Sequence, residues 1–542
     1  MVVIVKNMKD LINKILILLA IILSLPGCSG GKITHKEHTG NIYYISPAGN
    51  DSNPGTQDKP WKTPGRTDSL DLEPGDMILF EGGKTYHGTV QLDSLDSGSP
   101  GSKVRISSYG DERAIIDGGN KEGIRIENCA YFDIKDLIIT GNGRNTGNTS
   151  DGILLINSGN FEVDSVEVYG FQHSGIHIHR STNTRIRKVY AHDNGFAGIH
   201  VTGTTIYDTS NYDNHNLYIG YCKAENNPGD PTITNNHSGN GILASSVKNG
   251  LIEYCEASNN GWDMPWTGNG PVGIWIWDCS GFIIQYCISH DNKTNPKAAD
   301  GGGFDLDGGV SGSIIQYCIS FNNQGSGYGL FEFGSGKPWT NNVIRYNISQ
   351  NDGIINGGSV GVCKNETAGV MRNCEIYNNT FYNNTGKGVA LWIYNNWPDF
   401  NFRNNIFVYR TSFLEPGQKL STERFVANCY WCLSGKKGIA GFENLAKWAG
   451  ITGNEKTGTL LQGIYIDPKL TDPGKKLMVT DPVKIDMNSL RGFYPEPDSP
   501  VIDRGIDIRE SRHPSAVGKD IIGTDLPQGS DYDIGALEYR IK

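Results

Sequence analysis

Positive charge is in short supply in this 542-residue chain: 48 Lys and Arg stand against 58 Asp and Glu, a formal net charge of −10. An acidic surface argues against nucleic acid and against simple electrostatic capture of a polyanion. Helical periodicity is missing too. No segment of the repeated region shows the 3.6-residue period, and 70 Gly together with many Asn oppose helix. Cysteine is present, at 11 residues, but in little metal-type spacing: the one C-x-x-C is Cys429-Tyr-Trp-Cys432, expected in a loop-like region as a local staple at most.

What the chain does contain is repetition. Leu251-Ile-Glu-Tyr-Cys-Glu-Ala-Ser-Asn-Asn260 returns at Ile283–Asn292, Ile314–Asn323 and Val343–Asp352. Counted from the residue after the tyrosine (Cys255, Cys287, Cys318, Asn347), the steps are 32, 31 and 29 residues. Each copy is a β-branched and aromatic run closed by Asn or Asp, which reads as strand then turn. A second strand upstream opens with Gly, as in Gly241-Ile-Leu-Ala244 and Gly273-Ile-Trp-Ile276. Two or more strands per turn of about thirty residues predict an all-β solenoid, a parallel β-helix with coils roughly 4.8 Å apart. Cys222, Cys255, Cys287 and Cys318, then Asn347, Asn379 and Asn405, are expected to stack inside it as a ladder of buried thiols and amides.

The two ends add a resemblance. Asn41-Ile-Tyr-Tyr-Ile-Ser-Pro-Ala-Gly-Asn50, Pro74-Gly-Asp-Met-Ile-Leu-Phe80, Pro497-Asp-Ser-Pro-Val-Ile-Asp-Arg-Gly505 and Asp533-Ile-Gly-Ala-Leu-Glu-Tyr539 resemble the opening and closing segments of pectate-lyase-like, right-handed parallel β-helix proteins. The resemblance covers roughly 41–542 and implies one continuous domain and a carbohydrate-active superfamily. It leaves the reaction open, because this architecture hosts lyases, hydrolases, epimerases and binding proteins. At the other extreme of the chain, Lys6, Lys9 and Lys14 precede the apolar run Ile15–Leu25, which is short for a membrane span and ends in Leu-Pro-Gly-Cys28. This resembles a bacterial lipoprotein signal. It implies cleavage before Cys28, a lipid on its sulfur, a tether over 29–40, and an exported, monomeric protein held at the outer membrane or cell surface.

The repeat breaks between the second and third of these lines. Aligning Gly273-Ile-Trp-Ile-Trp277 with Gly303-Phe-Asp-Leu-Asp307 sets Trp275 over Asp305 and Trp277 over Asp307, with Ile276 and Leu306 inward. Alternation then puts both aspartates on one outward face, about 6.5–7 Å apart. Glu332 falls one rung on, its facing open, and Asp300 lies at the edge with Gly301-Gly302-Gly303. Trp262 and Trp266 sit in an insertion placed to wall a cleft. Tryptophans stack on pyranose rings, and paired carboxylates serve glycoside hydrolysis as acid and as base or nucleophile.

The preferred expectation is therefore a glycoside hydrolase of a polysaccharide or oligosaccharide, without cofactor. Asp305, Asp307 and Glu332 would carry catalysis, and Trp275, Trp277, Trp262 and Trp266 would hold the sugar. Three alternatives stay open. Asp300, Asp305 and Asp307 would bind calcium in a polysaccharide lyase, for which Lys337, Arg345 and Lys364 are the available bases. The chain would bind glycan without cleaving it. Asp-x-Asp would be solvated surface. His177, His179 and His200 form a further outward stripe, read as a hydrogen-bonded ladder ahead of a metal site. Trp392 and Trp397 either extend the glycan-binding face or cap a loop.

Overall fold

The computed structural model describes residues 40–540 apart from 205–207, 209, 335, 366–368, 395–398, 421 and 509–517. Cys28, the targeting segment and nearly all of the tether expected over 29–40 lie outside the described residues, as does Trp397. From Gly40 onward the chain forms one compact unit.

Among the described residues three long parallel sheets of 14, 12 and 14 strands run the length of that unit. Each coil contributes one strand to each sheet, so sequence neighbours three strands apart are hydrogen-bonded partners. The repeated line builds two sides of the coil. Leu251 and Ile252 pair with Ile283 and Ile284 in the first sheet, and those with Ile314 and Ile315. The tyrosines that follow sit at the bend with positive φ: 51° at Tyr254, 50° at Tyr286, 55° at Tyr317. A non-glycine residue there is strained. The repeat meets that cost by stacking the rings at 5.2 and 5.0 Å.

After the tyrosine the next side chain turns inward, and the expected ladder is present. Cys222 N–H faces Cys255 Sγ, Cys318 N–H donates to Asn347 Oδ1 at 2.8 Å, and Asn347 donates to Asn379 and Asn379 to Asn405. The file continues to Asn428 and ends on Glu455. All ten described cysteines are free, and Cys429 and Cys432 lie on a strand of the third sheet, not in a loop. A second ladder explains the closing Asn-Asn. Asn259 takes the left-handed bend at φ 52°, and Asn260 turns inward to accept from Asn227 and donate to Asn292. Asn292, Asn323 and Asp352 continue it. These amides answer the backbone groups freed at every bend. The C-terminal segment lies over the third sheet, where Val501, Ile534 and Leu537 cluster with Ile288, Ile319 and Ile348.

Candidate functional site

The second sheet carries one register file along its outer face: Leu154, His177, His200, Leu243, Trp275, Asp305, Gly329, Gly361, Trp392. Trp275 thus pairs with Asp305 as the repeat predicts, while Ile276 and Leu306 enter the core. After Asp305 the file loses its side chains at two successive glycines. A Cβ on Gly329 would stand 2.9 Å from Asp305 Oδ1, so glycine there is what leaves the carboxylate its place. The gap becomes a cleft of about 430 Å³, lined by Trp275, Trp277, Asp300, Asp305, Asp307, Phe331 and Trp392 among others. That is large enough for a small ligand or part of a glycan chain.

Three carboxyl groups meet in it. Asp305 is 3 % exposed, and among the described residues its Oδ1 makes no hydrogen bond. Burial, reinforced by Asp307 and Asp300, raises its pKa well above the usual carboxylate range. Asp307 is half-buried and accepts the Gly308 N–H at 2.7 Å. Burial pushes it up to about 8 against that bond, with Asp300 and Glu332 adding to the rise. Asp300 comes from the turn before the strand, at φ 59°, and accepts the Gly270 N–H at 2.9 Å. Burial pushes it up to about 6.

Glu332 does not belong to this group as expected. Asp305 pairs with Gly329, so Phe331 faces the cleft and Glu332 shares the inward parity of Leu330. It is fully buried and accepts backbone N–H bonds from Gly309 at 2.9 Å and Gly334 at 2.8 Å, holding the bend. The tryptophans divide. Trp275, 4 % exposed, donates to Asn240 Oδ1, and Trp277 lies beside it in the lining. Trp266 donates to Asn269, itself a lining residue, and so supports the rim. Trp262 is instead placed outside the cleft, exposed, bonded to Asn226 and near Arg144. Trp392 lines the cleft, edge-on to Phe331.

His237 is the lining residue that the repeat could not announce, because it comes from the irregular loop before Asn240. Burial pushes it down to about 4, and its Nδ1 accepts from Asn240, so it is neutral. Among the described residues no Lys or Arg lines the cleft. Lys337 is buried against Asp278 at 2.8 Å, Arg345 donates to Gln316 and Tyr377 from the first sheet, and Lys364 pairs in register with Glu332.

Further along the same face the expected histidine stripe is present and larger than the sequence suggested. His177 and His200 stack at 4.5 Å, and His179 stands edge-on to His177. Asp151 and His173, from the turns between strands, join them.

Comparison with known proteins bears on the chain as a whole. It is 29% identical over 227 residues to a lacto-N-biosidase of Bifidobacterium longum, spanning 38% of this chain and 13% of that protein. It is 26% identical over 276 residues to pectate lyase L of Paenibacillus polymyxa, spanning 49% and 54%. The chain therefore spans about half or less of the length of these curated relatives. The structure is similar to a crystal structure of the GH136 lacto-N-biosidase from Eubacterium ramulus, with a TM-score of 0.50 and 19% identity, covering 70% of this chain and 67% of that one. Residues 43–355, more than half of the sequence, match the family described as "Pel9A-like, right handed beta helix region". With its three parallel sheets and stacked coils, the chain belongs to this Pel9A-like right-handed β-helix family.

Proposed function

We propose that the protein is a carbohydrate-active enzyme, and within that class a glycoside hydrolase. One observation carries the reading: three carboxyl groups line an aromatic cleft that, among the described residues, holds no Lys or Arg. Glycoside hydrolysis needs one carboxyl that keeps its proton and one that has lost it. At neutral pH Asp307, titrating about 8, carries a proton for the glycosidic oxygen, while Asp300, titrating about 6, is the ionised base or nucleophile. Asp305 lies nearly buried beside them, and burial together with the charges of Asp307 and Asp300 holds its own carboxyl well above the usual carboxylate range. Trp277 and Trp392 supply the apolar faces for sugar rings, with the buried Trp275 backing Trp277.

The pectate lyase relative and the unpartnered Asp305 Oδ1 favour one second reading, a cation-dependent lyase acting on a uronate-containing glycan. Three carboxylates suit a hard cation such as calcium. A lyase also needs a base at C5; Lys337 and Arg345 are engaged elsewhere in the fold, and Lys364 does not line the cleft. The two readings separate on a glycan panel that includes lacto-N-bioside and pectate. The hydrolase releases new reducing ends without ultraviolet-absorbing product, survives chelator, and loses activity in Asp307→Asn and Asp300→Asn. Absorbing product that disappears with chelator overturns it in favour of the lyase, and binding without any product leaves a glycan-binding protein. Export and lipid attachment at Cys28 belong to the same proposal, checked by loss of lipid labelling in Cys28→Ser.

A further inference from the structure

The cluster around Asp151 is separate from the cleft and unused by the reading above. In the register file His177 lies four rungs before Asp305, roughly 19 Å away at about 4.8 Å per rung. Asp151 is 7 % exposed. Its Oδ1 lies 2.6 Å from His173 Nδ1, and its Oδ2 lies 3.0 Å from His177 Nδ1. The Ser174 N–H also donates to Oδ1 at 2.9 Å. One carboxylate oxygen and one ring nitrogen from each histidine all lie within 4.8 Å of one another.

A buried carboxylate could be satisfied by two donating imidazoles alone. Two further observations point past that arrangement. Among the described residues His177 Nε2 and His200 Nδ1 are buried ring nitrogens without a hydrogen bond, and the two rings stack at 4.5 Å and 12°. Unpaired buried ring nitrogens are costly. A fold that tolerates two of them in contact is holding its imidazoles where a hydrogen-bonded ladder alone does not require. Phe196 closes the other side, stacked on His173 at 4.9 Å. His173 keeps 30% of its side chain exposed and His177 keeps 16%, so the cluster has an approach from solvent.

We infer that Asp151, His173 and His177 form a binding site for a divalent transition-metal ion of the zinc class. Two imidazoles and one carboxylate select zinc, cobalt or nickel over calcium and magnesium, which prefer all-oxygen sites. Three protein ligands leave a coordination position for solvent, as in open rather than closed zinc sites. His200 backs His177 through its ring and is not assigned as a ligand. The inference does not rest on the hydrolase reading, since none of its residues lines the cleft.

The test uses the untagged full-length protein, freed of metal by chelator and titrated with Zn²⁺ and, separately, Co²⁺. The expected result is one equivalent bound, with Co²⁺ showing ligand-field bands and no thiolate charge-transfer band. Affinity falls at least 100-fold in His177→Ala and in His173→Ala and is unchanged in Asp305→Asn. His173, at a turn and partly exposed, is the variant that keeps the test valid if His177→Ala fails to fold. No stoichiometric binding, binding that survives His173→Ala, or binding lost in Asp305→Asn each overturns the assignment.

Discussion

Replacing Asp307 with Asn should stabilise the protein while inactivating it. The side chain is held protonated to about 8, whereas the same carboxyl ionises near 3.8 when freely solvated. For a carboxyl raised in the fold the sign runs against stability. Below pH about 3.8 both states are protonated and nothing is lost. Between there and about 8 the unfolded chain gains from ionising and the folded one does not, so folding is penalised increasingly. At 1.36 kcal/mol per pH unit, the penalty at pH 7 is at most about 4 kcal/mol, and about 2 kcal/mol once solvent reaching the half-buried group is allowed for. Asparagine keeps the size and can still accept the Gly308 N–H, but it never ionises. For roughly 500 ordered residues, unfolding entropy is about 1 kcal/mol per degree, so Tm should rise by about 2 °C at pH 7. The rise should disappear at pH 4. Calorimetry or circular dichroism at both pH values reads it, alongside a glycan-cleavage assay in which the variant loses roughly 10²- to 10⁴-fold. A lower Tm at pH 7, or the same shift at pH 4 and pH 7, would refute the account of Asp307 as a strained, protonated carboxyl.

Three other outcomes are expected. Asn292→Ala removes the acceptor for Asn260 and the donor to Asn323 and Ala257, and should cost at least about 2 kcal/mol in urea unfolding through the groups it orphans. Trp277→Ala should raise KM roughly 5-fold at nearly constant kcat, from about 1 kcal/mol of lost ring stacking, as steady-state kinetics on the cleaved glycan would show. Cys222, Cys255 and Cys287, buried with thiols raised well above their ordinary range, should resist alkylation in the native protein and react only in denaturant, as read by mass spectrometry.

The strands were legible in the sequence because a solenoid writes its register as a period. Once Cys255, Cys287 and Cys318 are aligned, Trp275 must fall on Asp305, and it does. The turns were not legible, because their lengths vary freely from coil to coil. His237, Asp151 and His173 come from such segments, and no period places them; Asp300 does too, and was readable only from its place beside Gly301-Gly302-Gly303. Glu332 failed for a related reason. Taking Gly329 as the strand opener misses that Gly329 itself occupies the rung of Asp305, so the glutamate passes beyond the cleft into the bend. Trp262 shares an insertion with Trp266, yet only the latter reaches a lining residue.

The two amide ladders also give the molecule a mechanical grain. Their bonds, like those of the three sheets, run from each coil to the next, so traction along the long axis loads the interfaces in series, with every bond of one interface sharing the force. The weakest interface yields alone and leaves its neighbours closed. Each such event frees one coil, about thirty residues or roughly 100 Å of extended chain at about 3.4 Å per residue. Under force this protein would lengthen in discrete steps, each set by the length of the coil it releases.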